Sequence, residues 1–78
     1  MDETEEILVD ARGHRCPVPT LRLRRAFEAA PKGASLRLLA DDPMARIDIP
    51  HFIAGIEARI VEVSQVGEMI DFLVVKDF

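Results

Sequence analysis

The sequence predicts an α+β fold: a two-layer α/β sandwich in the order β-α-β-α-β-β, with a mixed four-stranded sheet and two helices on one face. Three observations predict it. Four short segments are β-branched or alternate apolar with polar residues, two segments between them carry apolar stripes at helical spacing, and a glycine joins the last two strands. With 78 residues the chain, 1–78, reads as a single domain near the lower size at which a core holds without staples. The 49% hydrophobic content supplies that core. Residues 1–5, acidic and without an apolar run, are expected to be disordered.

"EEILVDA" (5–11) alternates and reads as a strand, with Ile7 and Val9 facing one way. "RGHR" then turns the chain, with Gly13 where a positive φ is needed. From 17 to 30, Leu23, Ala26, Phe27 and Ala30 form one helical face, ended by "PKG". "SLRLLAD" (35–41) is a second strand with Leu36, Leu38 and Ala40 on a common face. Asp42 before Pro43, and Asp48 before Ile49, both have the look of an N-cap. Pro50 disfavours helical geometry at Ile49, so a short turn at 43–47, a break, and a main helix over 49–57 are expected. Ile49, Phe52, Ile53 and Ile56 form its stripe. "ARIVEVSQ" (58–65) and "EMIDFLVVKD" (68–77) form an antiparallel hairpin around Val66-Gly67. Leu8, Leu39, Ile60, Leu73 and Val75 are expected on the open sheet face, either as wet apolar residues or as a dimer or docking surface, and the chain is expected to be a monomer or weak dimer.

Composition narrows the function classes. A lone cysteine forms no internal disulfide, the acidic start does not read as a signal peptide, and no apolar run is long enough to span a bilayer, so a cytoplasmic protein is expected. A net charge of −4 argues against direct nucleic-acid binding. The charge is unevenly placed: Arg12, Arg15, Arg22, Arg24 and Arg25 lie between Asp10 and Glu28 with no acid among them, whereas the remainder has 14 acids against five bases.

That positive segment surrounds Cys16. A helix start at Cys16, with Arg12, Arg15 and His14 nearby, predicts a thiol shifted towards its nucleophilic thiolate. Pro17 and Pro19 occupy the first turn, where missing N–H groups cost little, and stiffen the presentation of the sulfur. The bland alternative is a small buried hydrophobe. Hydrolysis would need a base and an orienting residue, and only His14 and His51 are available. Cys16, His14 and His51 are too few and too scattered for zinc, and there is no CxxC pair or phosphate-cradling loop, so neither a metal nor a cofactor is expected. A carrier remains: a thiol that takes a group, holds it covalently and yields it.

"DARGHRCPVPTLRLR" resembles the signature of the TusA/SirA-like sulfur carriers, with Asp10, Gly13 and then Cys16-Pro17-x-Pro19 opening helix 1. "ADDPMARIDIPHF" is similar to the second family stretch, through Asp41, Asp42, Pro43, Asp48, Ile49, Pro50 and Phe52. A lone CPxP is a weak signal; two motifs at matching separation are specific. The resemblance implies a Cys16 persulfide loaded by a cysteine desulfurase. Its sulfur would pass to an accepting protein, towards tRNA 2-thiouridine, molybdenum cofactor or sulfur metabolism. Val18 stands where glutamate is common and His14 where an aliphatic residue is usual, which leaves the partner open. Arg15, Leu21, Arg22 and Arg25 are the docking candidates, and the same arginine face would also suit a noncovalent regulatory module. Asp10 either pairs with Arg12 or caps the loop, and Asp41 and Asp42 are expected to cap the second helix.

Overall fold

The computed structural model describes residues 6–77; residues 1–5, expected to be disordered, lie outside the described residues. The elements are β1 (Glu6–Asp10), α1 (Val18–Ala29), β2 (Ser35–Ala40), α2 (Ala45–Ala54), β3 (Ala58–Val66) and β4 (Met69–Lys76). The sheet order is β1-β2-β4-β3, with β1 parallel to β2 and the other two pairs antiparallel. This is the predicted mixed sheet.

Alternation decides which strand residues meet the helices. Leu36, Leu38 and Ala40 of β2 and Ile70, Phe72 and Val74 of β4 are buried, and the residues between them are only half-buried. From the helical layer Leu23 and Phe27 of α1 and Ile49 and Ile53 of α2 complete the same core, and the Phe27 and Phe52 rings meet at 6.2 Å. Pro19 is also buried, so the α1 stripe begins a turn earlier than its aliphatic residues indicate. Ile60 is a correction. It pairs with Val74 on the helix-facing side and packs on the core, because a bulge between Ile60 and Glu62 resets the alternation of β3.

The second helix also differs from expectation. No break separates 43–47 from 49–57: α2 runs continuously from Ala45 to Ala54 with Pro50 inside it. Ala45, Ile49 and Ile53 recur at intervals of four on the core side, and their burial holds the helix. Pro50 faces solvent, so the hydrogen bond its ring denies to the Arg46 carbonyl is given up on the exposed side of the helix. The hairpin turns through Gly67, φ +60°, and Glu68, with glycine at the first loop position as a II′ turn requires.

Lys76, at the end of β4, is buried and its Nζ donates to the carbonyls of Phe27 (2.6 Å) and Ala30 (2.7 Å). A cation thus satisfies carbonyls at the C-terminal end of α1 and meets the negative end of its dipole. On the opposite sheet face Arg37 bridges Glu6 and Asp71 at 2.8–2.9 Å, placing an ion-pair network among Leu39, Leu73 and Val75.

Candidate functional site

Because β1 and β2 run parallel, their carboxyl ends lie side by side, and so do the loops that leave them. The loop after β1 carries Gly13 and Cys16; the loop after β2 carries Asp41 and Asp42. The two loops are stitched together. The Gly13 N–H donates to both carboxylate oxygens of Asp41 (2.9 and 3.0 Å), and the Cys16 N–H donates to Oδ2 of Asp42 (2.7 Å). Asp42 also accepts from the Met44 N–H through Oδ1 (3.1 Å), while its carbonyl accepts from Ala45. Asp42 therefore starts the turn into α2 and anchors the cysteine at once. Asp41, expected as a cap, serves the Gly13 loop instead. Gly13 has φ +85°, the left-handed conformation its position predicts.

Cys16 is half-buried on this loop, packed against the edge of the core, and its peptide bond to Pro17 is cis. Pro17, not Cys16, is the N-cap of α1, and Pro19 lies at the second helical position. That displacement removes the predicted electrostatics. Pro17 and Pro19 have no N–H, and the Val18 N–H is taken by the Arg15 carbonyl at 2.9 Å, so the helix end offers the sulfur little positive potential.

Arg12 is engaged as well. Arg12 donates to Asp10 through its backbone N–H, Nε and Nη2, at 2.8–3.2 Å, which settles Asp10 as the partner of Arg12 and holds its carboxyl down at about 2. The thiol meets acids instead. Partial burial, then the hydrogen bond to Asp48 and the negative charges of Asp48 and Asp42, push the Cys16 thiol up to about 11. The expectation of an activated thiolate in the free protein is overturned. Asp42, in turn, is lowered by the N–H groups of Cys16 and Met44.

Asp48, which the sequence offers as a cap, lies in the first turn of α2 and faces the sulfur. Its signal in the sequence was the "DIP" stretch, but only the parallel pairing of β1 with β2 brings that helix over the cysteine loop. Arg15 is exposed beside Gly13, His14 and the two acids. Leu21, Arg22 and Arg25 stand apart from it, along a groove between α1 and β1. Arg24 faces elsewhere and is 3.7 Å from Glu28.

Residues 7–76 match the family model described as Sulfurtransferase TusA. The chain belongs to the TusA family. It is 37% identical over 68 residues to an Archaeoglobus fulgidus protein provisionally named a sulfur carrier protein, covering 87% of this chain and 88% of that one. It is also 35% identical over 66 residues to the sulfur carrier protein TusA of Pseudomonas fluorescens, covering 80% of each. The crystal structure of a SirA-like protein from Desulfitobacterium hafniense superposes with a TM-score of 0.70 at 24% identity, covering 92% of this chain and 99% of that one, and so shares its fold. Among TusA-family features the chain keeps the Cys-Pro-x-Pro stretch intact at Cys16, Pro17 and Pro19.

Proposed function

We propose that this protein is a sulfur carrier that accepts persulfide sulfur on Cys16 from a cysteine desulfurase and relays it to an accepting protein. The observation that carries the reading is a TusA-family chain whose one cysteine is half-exposed on a loop pinned at the carboxyl ends of two parallel strands. The sulfur of Cys16 attacks the outer sulfur of the donor's persulfide. A new S–S bond forms, the donor's S–S bond breaks, and the departing thiolate takes up the proton that Cys16 sheds. The reaction exchanges one persulfide for another and needs no added oxidant or reductant. Delivery repeats the step with Cys16 as donor, towards tRNA thiolation, molybdenum cofactor or sulfur metabolism.

A thiol held near 11 is protonated at neutral pH and slow to oxidise or alkylate. On this reading the carrier is quiet until a partner docks, and Arg15, Leu21, Arg22 and Arg25 are the residues we propose receive that partner.

Incubation with a cysteine desulfurase and cysteine tests the reading. The intact mass rises by one sulfur, about 32 Da, and Cys16→Ser folds without that gain. No gain in the wild-type protein, or sulfur uptake by the serine variant, overturns it. A noncovalent module working through the arginine face would instead keep its cellular function in Cys16→Ser and lose it on replacing Arg22 and Arg25.

A further inference from the structure

The sheet has two edges, and they are unlike. β3 is bent by the bulge between Ile60 and Glu62, and its exposed end carries Glu62 and leads to Glu68. β1 has no register shift over its five residues. The Ala11 N–H donates to the Leu39 carbonyl at 2.8 Å, towards β2. Backbone groups alternate in direction along a strand, so those of Ile7 and Val9 also face β2, and those of Leu8 and Asp10 face the open edge. Beside that edge runs a groove of about 630 Å3, walled by Val18, Leu21, Ala26 and Ala29 of α1, with Arg22 and Arg25 at its rim. Leu8 and Leu21 are 61% and 54% exposed.

We propose that the groove between β1 and α1 binds an extended segment of a partner protein, added as a fifth strand against β1, in which apolar residues alternate with acidic ones. The reading rests on the carrier function for its biological purpose, though not for its physics.

Each part of the occupant answers a feature of the groove. The N–H and C=O groups of Leu8 and Asp10 ask for a peptide backbone, since a nucleic-acid phosphate chain accepts hydrogen bonds but donates none to the carbonyls. The apolar wall takes every second side chain of a strand. Arg22 and Arg25 make no ion pair among the described residues; the one carboxylate on β1 that flanks them, Asp10, is hydrogen-bonded by Arg12 and reaches Arg22 only through its charge. Acidic side chains complete that arrangement. A second copy of this chain fits poorly, because two-fold pairing of β1 edges sets the arginine rims of both copies against each other. The helical wall begins at Val18, two residues beyond Cys16 in the chain, while the sulfur itself faces Asp48 and lies outside the groove.

The test uses the full chain, 15N-labelled, and a capped hexapeptide alternating valine with glutamate. Titration up to about 5 mM is expected to shift the amides of Leu8 and Asp10 and slow their hydrogen exchange. Alternate N-methylation of the peptide, on whichever edge meets β1, abolishes binding. The double change Arg22→Glu and Arg25→Glu weakens binding by at least about tenfold, and a valine–lysine peptide then binds the variant more tightly than the wild type. Overturning results are an absence of shifts in β1, shifts confined to β3, indifference to N-methylation at both edges, or β1 shifts from self-association without peptide. Loading of wild-type Cys16 by glutathione persulfide, read by mass, tests the carrier reading separately, and its failure leaves the strand-addition result standing.

Discussion

Cys16 is held through its backbone, and beyond its own partial burial the strongest influence on its sulfur comes from α2. Asp42 takes the Cys16 N–H, while Asp48 takes the thiol's hydrogen bond. Replacing Asp48 by asparagine removes a negative charge and a strong acceptor, and the thiol then falls back towards its ordinary value. The thiolate fraction at about pH 8 rises by about tenfold, read as the pH profile of alkylation by iodoacetamide; an unchanged profile refutes the assignment. The cysteine, its flanking prolines and Gly13 were all legible in the sequence, because each carries a local signature. The sign of the thiol's shift was not. It depends on which carboxylates a distant loop brings near, and on Arg12 being already engaged by Asp10, neither of which a linear reading of charge contains.

Among the elements, those with a clear period were read to within a residue or two, as β2 and α1 show. The strong local penalty of Pro50 predicts two pieces for α2, and that penalty is outweighed by burying Ala45, Ile49 and Ile53 on the far side. Plain alternation turns Ile60 outward, and a bulge has no signature in alternating residues. The cap that Lys76 supplies to α1 was likewise invisible, since it joins the last strand to a helix 46 residues earlier in the chain. Lys76→Met keeps the apolar stem but takes the ammonium donor from the Ala30 carbonyl and one of the donors from the Phe27 carbonyl, which also accepts from the Ala30 N–H. We expect a loss of about 1–3 kcal/mol in urea unfolding, with Lys76→Arg losing less. Equal stability of Lys76→Met and wild type would show that the cap contributes nothing.

For the molecule as a whole, stability depends on pH through groups titrating at both ends of the scale. Asp10, Asp42 and Glu6 are lowered in the fold by their N–H and guanidinium partners, so the unfolded chain binds more protons as the solution turns acidic. Their contribution is complete above the ordinary carboxylate range and is lost as pH falls through the folded values. Cys16 has the opposite sign. Its raised value favours the protonated fold, so its contribution is complete below the ordinary thiol value and is lost as pH climbs towards about 11. Thermal melts followed by circular dichroism should show a plateau with two falling limbs. Asp42→Asn makes the acid limb shallower, leaving the shares of Asp10 and Glu6, and Cys16→Ser flattens the alkaline one; an acid limb unchanged by Asp42→Asn, or an alkaline limb that survives Cys16→Ser, belongs to other groups. The stitching of Gly13 and Cys16 to Asp41 and Asp42 has a further consequence for traffic. Anchored by its own amide, this sulfur has no swinging arm, and its reach is one short side chain. Giver and receiver must each come to the same spot, one leaving before the other arrives, so a delivery cycle proceeds by alternating visits and never through a three-protein huddle.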